Sequence, residues 1–127
     1  VSLEELLSSA DIVSLHCPLT AETKGMIGKE QLALMKKTAF LINTARGGVV
    51  DQDALAAALS DGQIAGAALD VFDKEPPLPE DHPLLHAPNT IVTPHIGFAS
   101  VESLEQRADI VFENLYSWLE GRQLNAV

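Results

Sequence analysis

Four short apolar runs, each cut off by proline, glycine or a polar cluster, limit what this chain can fold into. They are DIVSLHC from Asp11 to Cys17, AFLINT from Ala39 to Thr44, IAGAALDVF from Ile64 to Phe72, and TIVT from Thr90 to Thr93. Strands that are apolar at nearly every position belong in a sheet buried on both faces, and such sheets are parallel with helices packed against them. The segments between the runs supply those helices. Ser2 caps a helix to Ala10 with Leu3, Leu6 and Leu7 at helical spacing and Glu5 three residues after the cap. Lys29 to Lys36 places Leu32, Leu34 and Met35 on a short helix, and Asp51 to Ser60 carries Leu55, Ala58 and Leu59 before Asp61-Gly62 closes it. Ser100 caps a final helix to about Leu119, whose apolar face is Leu104, Ala108, Val111, Leu115 and Trp118. Pro18 to Gly28 reads as a loop or a single helical turn. The stretch Lys74 to Asn89, dense in proline, reads as an extended loop. The expected class is α/β, a mostly parallel sheet with helices on both faces.

A chain of 127 residues can close one core without a metal or a disulfide. Its single cysteine, Cys17, leaves no internal disulfide and suits a reducing, cytoplasmic setting. A formal charge of -10 with scattered Arg46, Arg107 and Arg122 argues against nucleic acid, which demands clustered cations. The apolar runs are too short to span a bilayer, so no membrane partner is expected.

In open α/β sheets, ligands bind beyond the carboxyl ends of the strands. The residues there form a pattern: His16-Cys17-Pro18, then Thr44-Ala45-Arg46-Gly47-Gly48, then Asp70 with Glu75 close behind, then Pro94-His95-Ile96-Gly97. An arginine fork binds a carboxylate through two hydrogen bonds, a histidine exchanges a proton with an oxygen, and a carboxylate orients the histidine. A small organic acid is the substrate such a set fits. Singly, each residue has a plainer explanation. A loop arginine or glutamate is usually solvated, a lone histidine is usually hydrogen-bonded structure, and paired glycines relieve a tight turn. Asp70 closes an apolar strand, where an unpaired carboxylate is costly, so a partner or ligand is expected. A lone cysteine after a strand is generally a small buried hydrophobe, so His16 and Cys17 are not expected to hold a metal. His82 and His86 have no such companions.

At these same residues, in LHCPLTAETKGMIG, LINTARGGVVDQDAL, GAALDVFDKEPP and VTPHIGFAS, the sequence resembles the D-isomer-specific 2-hydroxyacid dehydrogenases. The resemblance implies a Rossmann-like domain, an NAD or NADP cofactor, and hydride transfer at the 2-carbon of a 2-hydroxy or 2-oxo acid. It implies that Arg46 binds the substrate carboxylate, that His95 is the acid/base, and that Glu75 pairs with His95. It places His16, Cys17, Pro18, Thr44, Ala45, Arg46, Asp70, His95 and Gly97 along the cofactor, with Asp70 at the nicotinamide carboxamide. Family members are commonly homodimers. The same resemblance extends to NAD(H)-binding regulatory, corepressor-like proteins, whereas related formate-oxidising sites carry glutamine where Glu75 stands. The chain has no G-x-G-x-x-G. Residues 1–127 are therefore expected to be the C-terminal portion of a dinucleotide-binding domain, with the final helix, about 100–119, returning toward an absent substrate domain.

Overall fold

The computed structural model describes residues 1–75 and 77–126. The chain divides into two compact units, Val1–His95 and Ile96–Val127. In the first unit α1 (Leu3–Ser9), β1 (Ile12–Leu15), α2 (Lys29–Leu34), β2 (Phe40–Asn43), α3 (Gln52–Ser60), β3 (Gly66–Leu69), α4 (Pro83–His86) and β4 (Thr90–Val92) follow in order. The second unit is built on α5 (Val101–Leu119). The helix starts are where capping chemistry puts them. Ser2 Oγ accepts from the Glu5 amide at 3.2 Å, Asp51 Oδ1 from Ala54 at 3.0 Å, and Ser100 Oγ from Ser103 at 3.1 Å.

The strands form one parallel sheet in the order β1-β2-β3-β4. Leu15 lies opposite Asn43, Asn43 opposite Leu69, and Leu69 opposite Val92, so all four strands end at one level. The core lies against the face that carries Val13, Leu15, Leu41, Ala67 and Leu69, which are buried together with Leu7, Leu32, Leu55 and Leu59 of the helices.

The α/β parallel sheet is the expected one, but within Val1–His95 its cover is one-sided. On the other face Ile12, Phe40 and Ile91 are 62%, 49% and 68% exposed. Successive side chains of a strand point to opposite faces, and α1 to α3 send their buried leucines to one face only. The strands are also shorter than their apolar runs, because residues after Leu15, Asn43 and Leu69 turn out of the sheet. Two short elements occupy segments read as irregular. A 3-10 turn spans Gly47–Val49, and α4 begins at Pro83 inside the proline-dense stretch. Proline is compatible with a first helical turn, where its missing N–H has no intrahelical partner to lose. Pro76, part of that predicted extended loop, lies outside the described residues.

The small residues of β3 serve close packing. A Cβ on Gly66 would meet the Asn89 carbonyl oxygen at 2.7 Å and the Phe40 ring at 3.1 Å. In the second unit the Arg107 guanidinium sits 4.6 Å from the Phe98 ring centroid. Val111, Phe112, Tyr116 and Trp118 of α5 are exposed.

Burial and exposure predict opposite sensitivities. Leu55→Ala empties a fully buried site and should lower unfolding free energy by about 2–5 kcal/mol. Asp11→Asn removes the Lys36–Asp11 ion pair, in which the aspartate side chain is 80% exposed, and should change it by less than about 1 kcal/mol. Chemical denaturation of the two variants beside the wild type checks both.

Candidate functional site

The common level of the strand ends dictates where the polar loops emerge. β1 runs into His16, Cys17 and Pro18, and β2 into Thr44, Ala45 and Arg46. These six residues line one cleft of about 340 Å³. Two features of β2's end shape it. Asn43 is fully buried; its Nδ2 donates to the Arg46 carbonyl at 3.0 Å and its Oδ1 accepts from the Ala45 amide at 3.0 Å. The side chain thus replaces the ladder partners that the departing backbone loses. Gly47 then lies so close to the next strand's exit that a Cβ on it would collide with the Phe72 carbonyl and the Asp73 amide nitrogen.

Arg46 is exposed, and its Nη1 donates to the Ala45 carbonyl at 2.7 Å. Among the described residues no carboxylate lies within salt-bridge distance of it, so its charge is available to a carboxylate ligand. His16 Nε2 is 2.8 Å from Ser14 Oγ, and Cys17 is a half-buried free thiol packed against the core. Asp70, buried at the end of β3, accepts a hydrogen bond from the Thr93 hydroxyl just beyond β4.

The third and fourth strand exits meet at an ion pair. The Phe72 amide donates to Glu75 Oε1, while Glu75 Oε2 lies 2.6 Å from His95 Nδ1. The glutamate side chain is 26% exposed and the histidine 43%. A carboxylate can only accept, so the imidazole proton in this bond sits on Nδ1 and the tautomer is fixed by its partner. His95 holds φ at 55°, the left-handed region, at a cost of about 1 kcal/mol. Strain of this kind is tolerated where surrounding contacts overdetermine it, and it clusters at functional sites.

The structure therefore brings Glu75 and His95 into contact and gathers His16 to Pro18 and Thr44 to Arg46 around a cleft. Glu75 and His95 are not among the residues lining that cleft. Gly97 belongs to the second unit, in the turn where the Ala99 amide donates to the Ile96 carbonyl at 2.8 Å. Among the described residues no group of three His, Cys, Asp or Glu is placed to hold a metal, and no helix is long and apolar enough to cross a membrane. Sequence reasoning passed over Asn43 and Thr93. A polar residue closing an apolar strand was the available signal for Asn43; Thr93 gave none before the fold put it beside Asp70.

Residues 1–97 match the family model described as D-isomer specific 2-hydroxyacid dehydrogenase, NAD binding domain. The chain is 54% identical over 121 residues to the glyoxylate reductase of Korarchaeum cryptofilum, covering 95% of this chain and 36% of that protein. It is 48% identical over 130 residues to the glycerate dehydrogenase of Methylorubrum extorquens, covering 100% of this chain and 41% of the relative. The NAD-complexed D-isomer specific 2-hydroxyacid dehydrogenase of Lactobacillus delbrueckii ssp. bulgaricus matches with a TM-score of 0.89 at 39% identity, over 100% of this chain and 42% of its own. The chain thus spans between 36% and 42% of the length of these proteins.

The glycine pair gives an internal control. Gly47→Ala forces backbone against backbone and should cost about 3 kcal/mol or more. Gly48→Ala meets only side chains, Leu19 at 3.1 Å and Asp73 Oδ1 at 3.4 Å, which can rotate away; it should cost less than about 1 kcal/mol. Thermal melts of the two variants compare them directly.

Proposed function

This chain belongs to the D-isomer specific 2-hydroxyacid dehydrogenases, and on that premise we propose that it carries the catalytic pair of an NAD(P)-dependent oxidoreductase acting on a small 2-oxo or 2-hydroxy acid. The Glu75–His95 contact at 2.6 Å is the observation that carries the reading. With Nδ1–H held by Glu75, Nε2 is the ring atom that gives a proton to the substrate's 2-oxo oxygen in reduction and takes it back in oxidation. Glu75 stabilises the ring when it is doubly protonated, and its own orientation is set by the Phe72 amide. Arg46 binds the substrate carboxylate through its guanidinium fork, exchanging its bond to the Ala45 carbonyl for a charged partner.

The residues fit the nicotinamide end of the cofactor. The cleft between His16, Cys17, Pro18, Thr44, Ala45 and Arg46 gives that end a wall, with the small Ala45 allowing close approach. Asp70, oriented by the Thr93 hydroxyl, is the acceptor for a carboxamide N–H in this reading. When bound, the cofactor supplies or receives the hydride at the substrate's C2. D-isomer specificity follows from holding carboxylate and oxygen at Arg46 and His95, so that one face of C2 meets the hydride.

In the whole protein, a substrate domain and a homodimer contact are the proposed covers for the apolar residues that α5 exposes. The free thiol of Cys17 supports a cytoplasmic setting. Neither nucleic acid nor a membrane is a proposed partner, in keeping with the charge of -10.

The test is NADH consumption by the full-length polypeptide with glyoxylate, hydroxypyruvate, pyruvate and phenylpyruvate. At least one acid should be reduced. His95→Ala should lower kcat about 100-fold or more. Arg46→Lys loses the fork and should raise KM for the acid by about tenfold. Turnover unchanged by His95→Ala would reject the role given to that residue.

A further inference from the structure

We propose that Gln52 and His82 are positioning residues for this reaction, their hydrogen bond tying the turn that carries Arg46 to the loop that carries Glu75. The inference rests on the dehydrogenase reading for its kinetic consequence, though the linkage itself is structural. It begins at His82, a residue with no role in the chemistry above. Its Nδ1 accepts from the Leu84 amide at 3.3 Å, capping α4, so the neutral ring carries its proton on Nε2. That N–H points to Gln52 Oε1 at 3.0 Å. Both ring nitrogens are used, and the ring has one orientation.

Each end of this bond leads to a functional side chain. Gln52, 7% exposed, opens α3 and is reached from Arg46 through the 3-10 turn Gly47–Val49 and the cap Asp51. At the other end, the His82 ring stands edge-on to Phe72, with centroids 5.5 Å apart and planes at 80°. Phe72 is the residue whose amide holds Glu75 Oε1, and Glu75 holds His95. The path therefore runs along the chain from the Arg46 turn to Gln52, and from there by contacts through His82, Phe72 and Glu75 to His95.

Capping alone does not explain the histidine. Serine, aspartate or asparagine would cap α4 as well. Only a longer side chain with a second polar atom also reaches α3, thirty residues away in sequence. A partly buried polar bond is sensitive to geometry, since a lost partner leaves a desolvated group unpaired. It therefore holds the two arms at a fixed spacing more sharply than apolar packing would. The spacing matters because carboxylate and 2-oxo oxygen belong to one small, rigid substrate, and misplacement by about 1 Å costs up to about 100-fold in rate.

The experiment uses the full-length polypeptide with Gln52→Leu, which removes the acceptor, and Gln52→Glu, which keeps one. With the acid that the wild type reduces best, kcat/KM should fall about tenfold in Gln52→Leu, with a circular-dichroism melt showing it folded at the assay temperature. Gln52→Glu should restore the wild-type value. In spectra of 15N-histidine protein, the His95 ring resonances should shift in Gln52→Leu and return in Gln52→Glu, a readout that needs no turnover. Should Gln52→Leu fail to fold, His82→Asn, which caps α4 but is too short to reach Gln52, takes its place. A folded variant without the bond whose His95 resonances and kcat/KM match wild type overturns the proposal. A wild type that reduces no 2-oxo acid rejects the dehydrogenase reading instead, and the His95 resonances then decide the linkage alone.

Discussion

In-register parallel pairing governs everything else in the first unit. With Leu15, Asn43, Leu69 and Val92 at one level, the four chain exits emerge along a single edge, and each can place a side chain beside the next strand's exit. Antiparallel neighbours would send alternate exits to opposite edges and disperse the same residues. The parallel arrangement also requires a crossover between each strand and the next, which is the work of α2, α3 and the segment containing α4. Helices and functional edge are two consequences of one pairing rule.

Along that edge, polar side chains substitute for the hydrogen bonds the backbone gives up on leaving the sheet. Asn43 does so for the turn carrying Arg46, and Thr93 meets Asp70 across adjacent exits. Glu75 joins a backbone amide to an imidazole. Gly47 permits the close approach of two exits, so the Arg46 turn rests directly on the Phe72–Asp73 backbone. The left-handed backbone of His95 is held within this set of contacts. Groups so fixed lose little freedom on meeting a ligand, which is the physical content of preorganisation.

Much of this was legible in the residues. The apolar runs announced the strands, Ser2, Asp51 and Ser100 announced helix starts, and the order of polar residues after the runs announced the edge. The Glu75–His95 contact was expected from the resemblance and is present in the fold. The sheet's bare face was not legible, because Ile12, Phe40 and Ile91 are as apolar as their buried neighbours. Composition records that a side chain prefers cover, not which segment provides it. α4 was hidden by prolines that signal irregular chain in general yet suit a first helical turn. The Gln52–His82 bond was invisible for a different reason: it joins side chains thirty positions apart that share no periodicity.

Whether Arg46 and His95 act on one substrate is decided by a crystal structure of the full-length polypeptide with NAD and oxamate. The oxamate carboxylate should lie on the Arg46 guanidinium and its carbonyl oxygen within about 2.6–3.2 Å of His95 Nε2, with Glu75 still on Nδ1. Oxamate bound away from Arg46, or a His95 ring turned from both the ligand and Glu75, would contradict their action on one substrate.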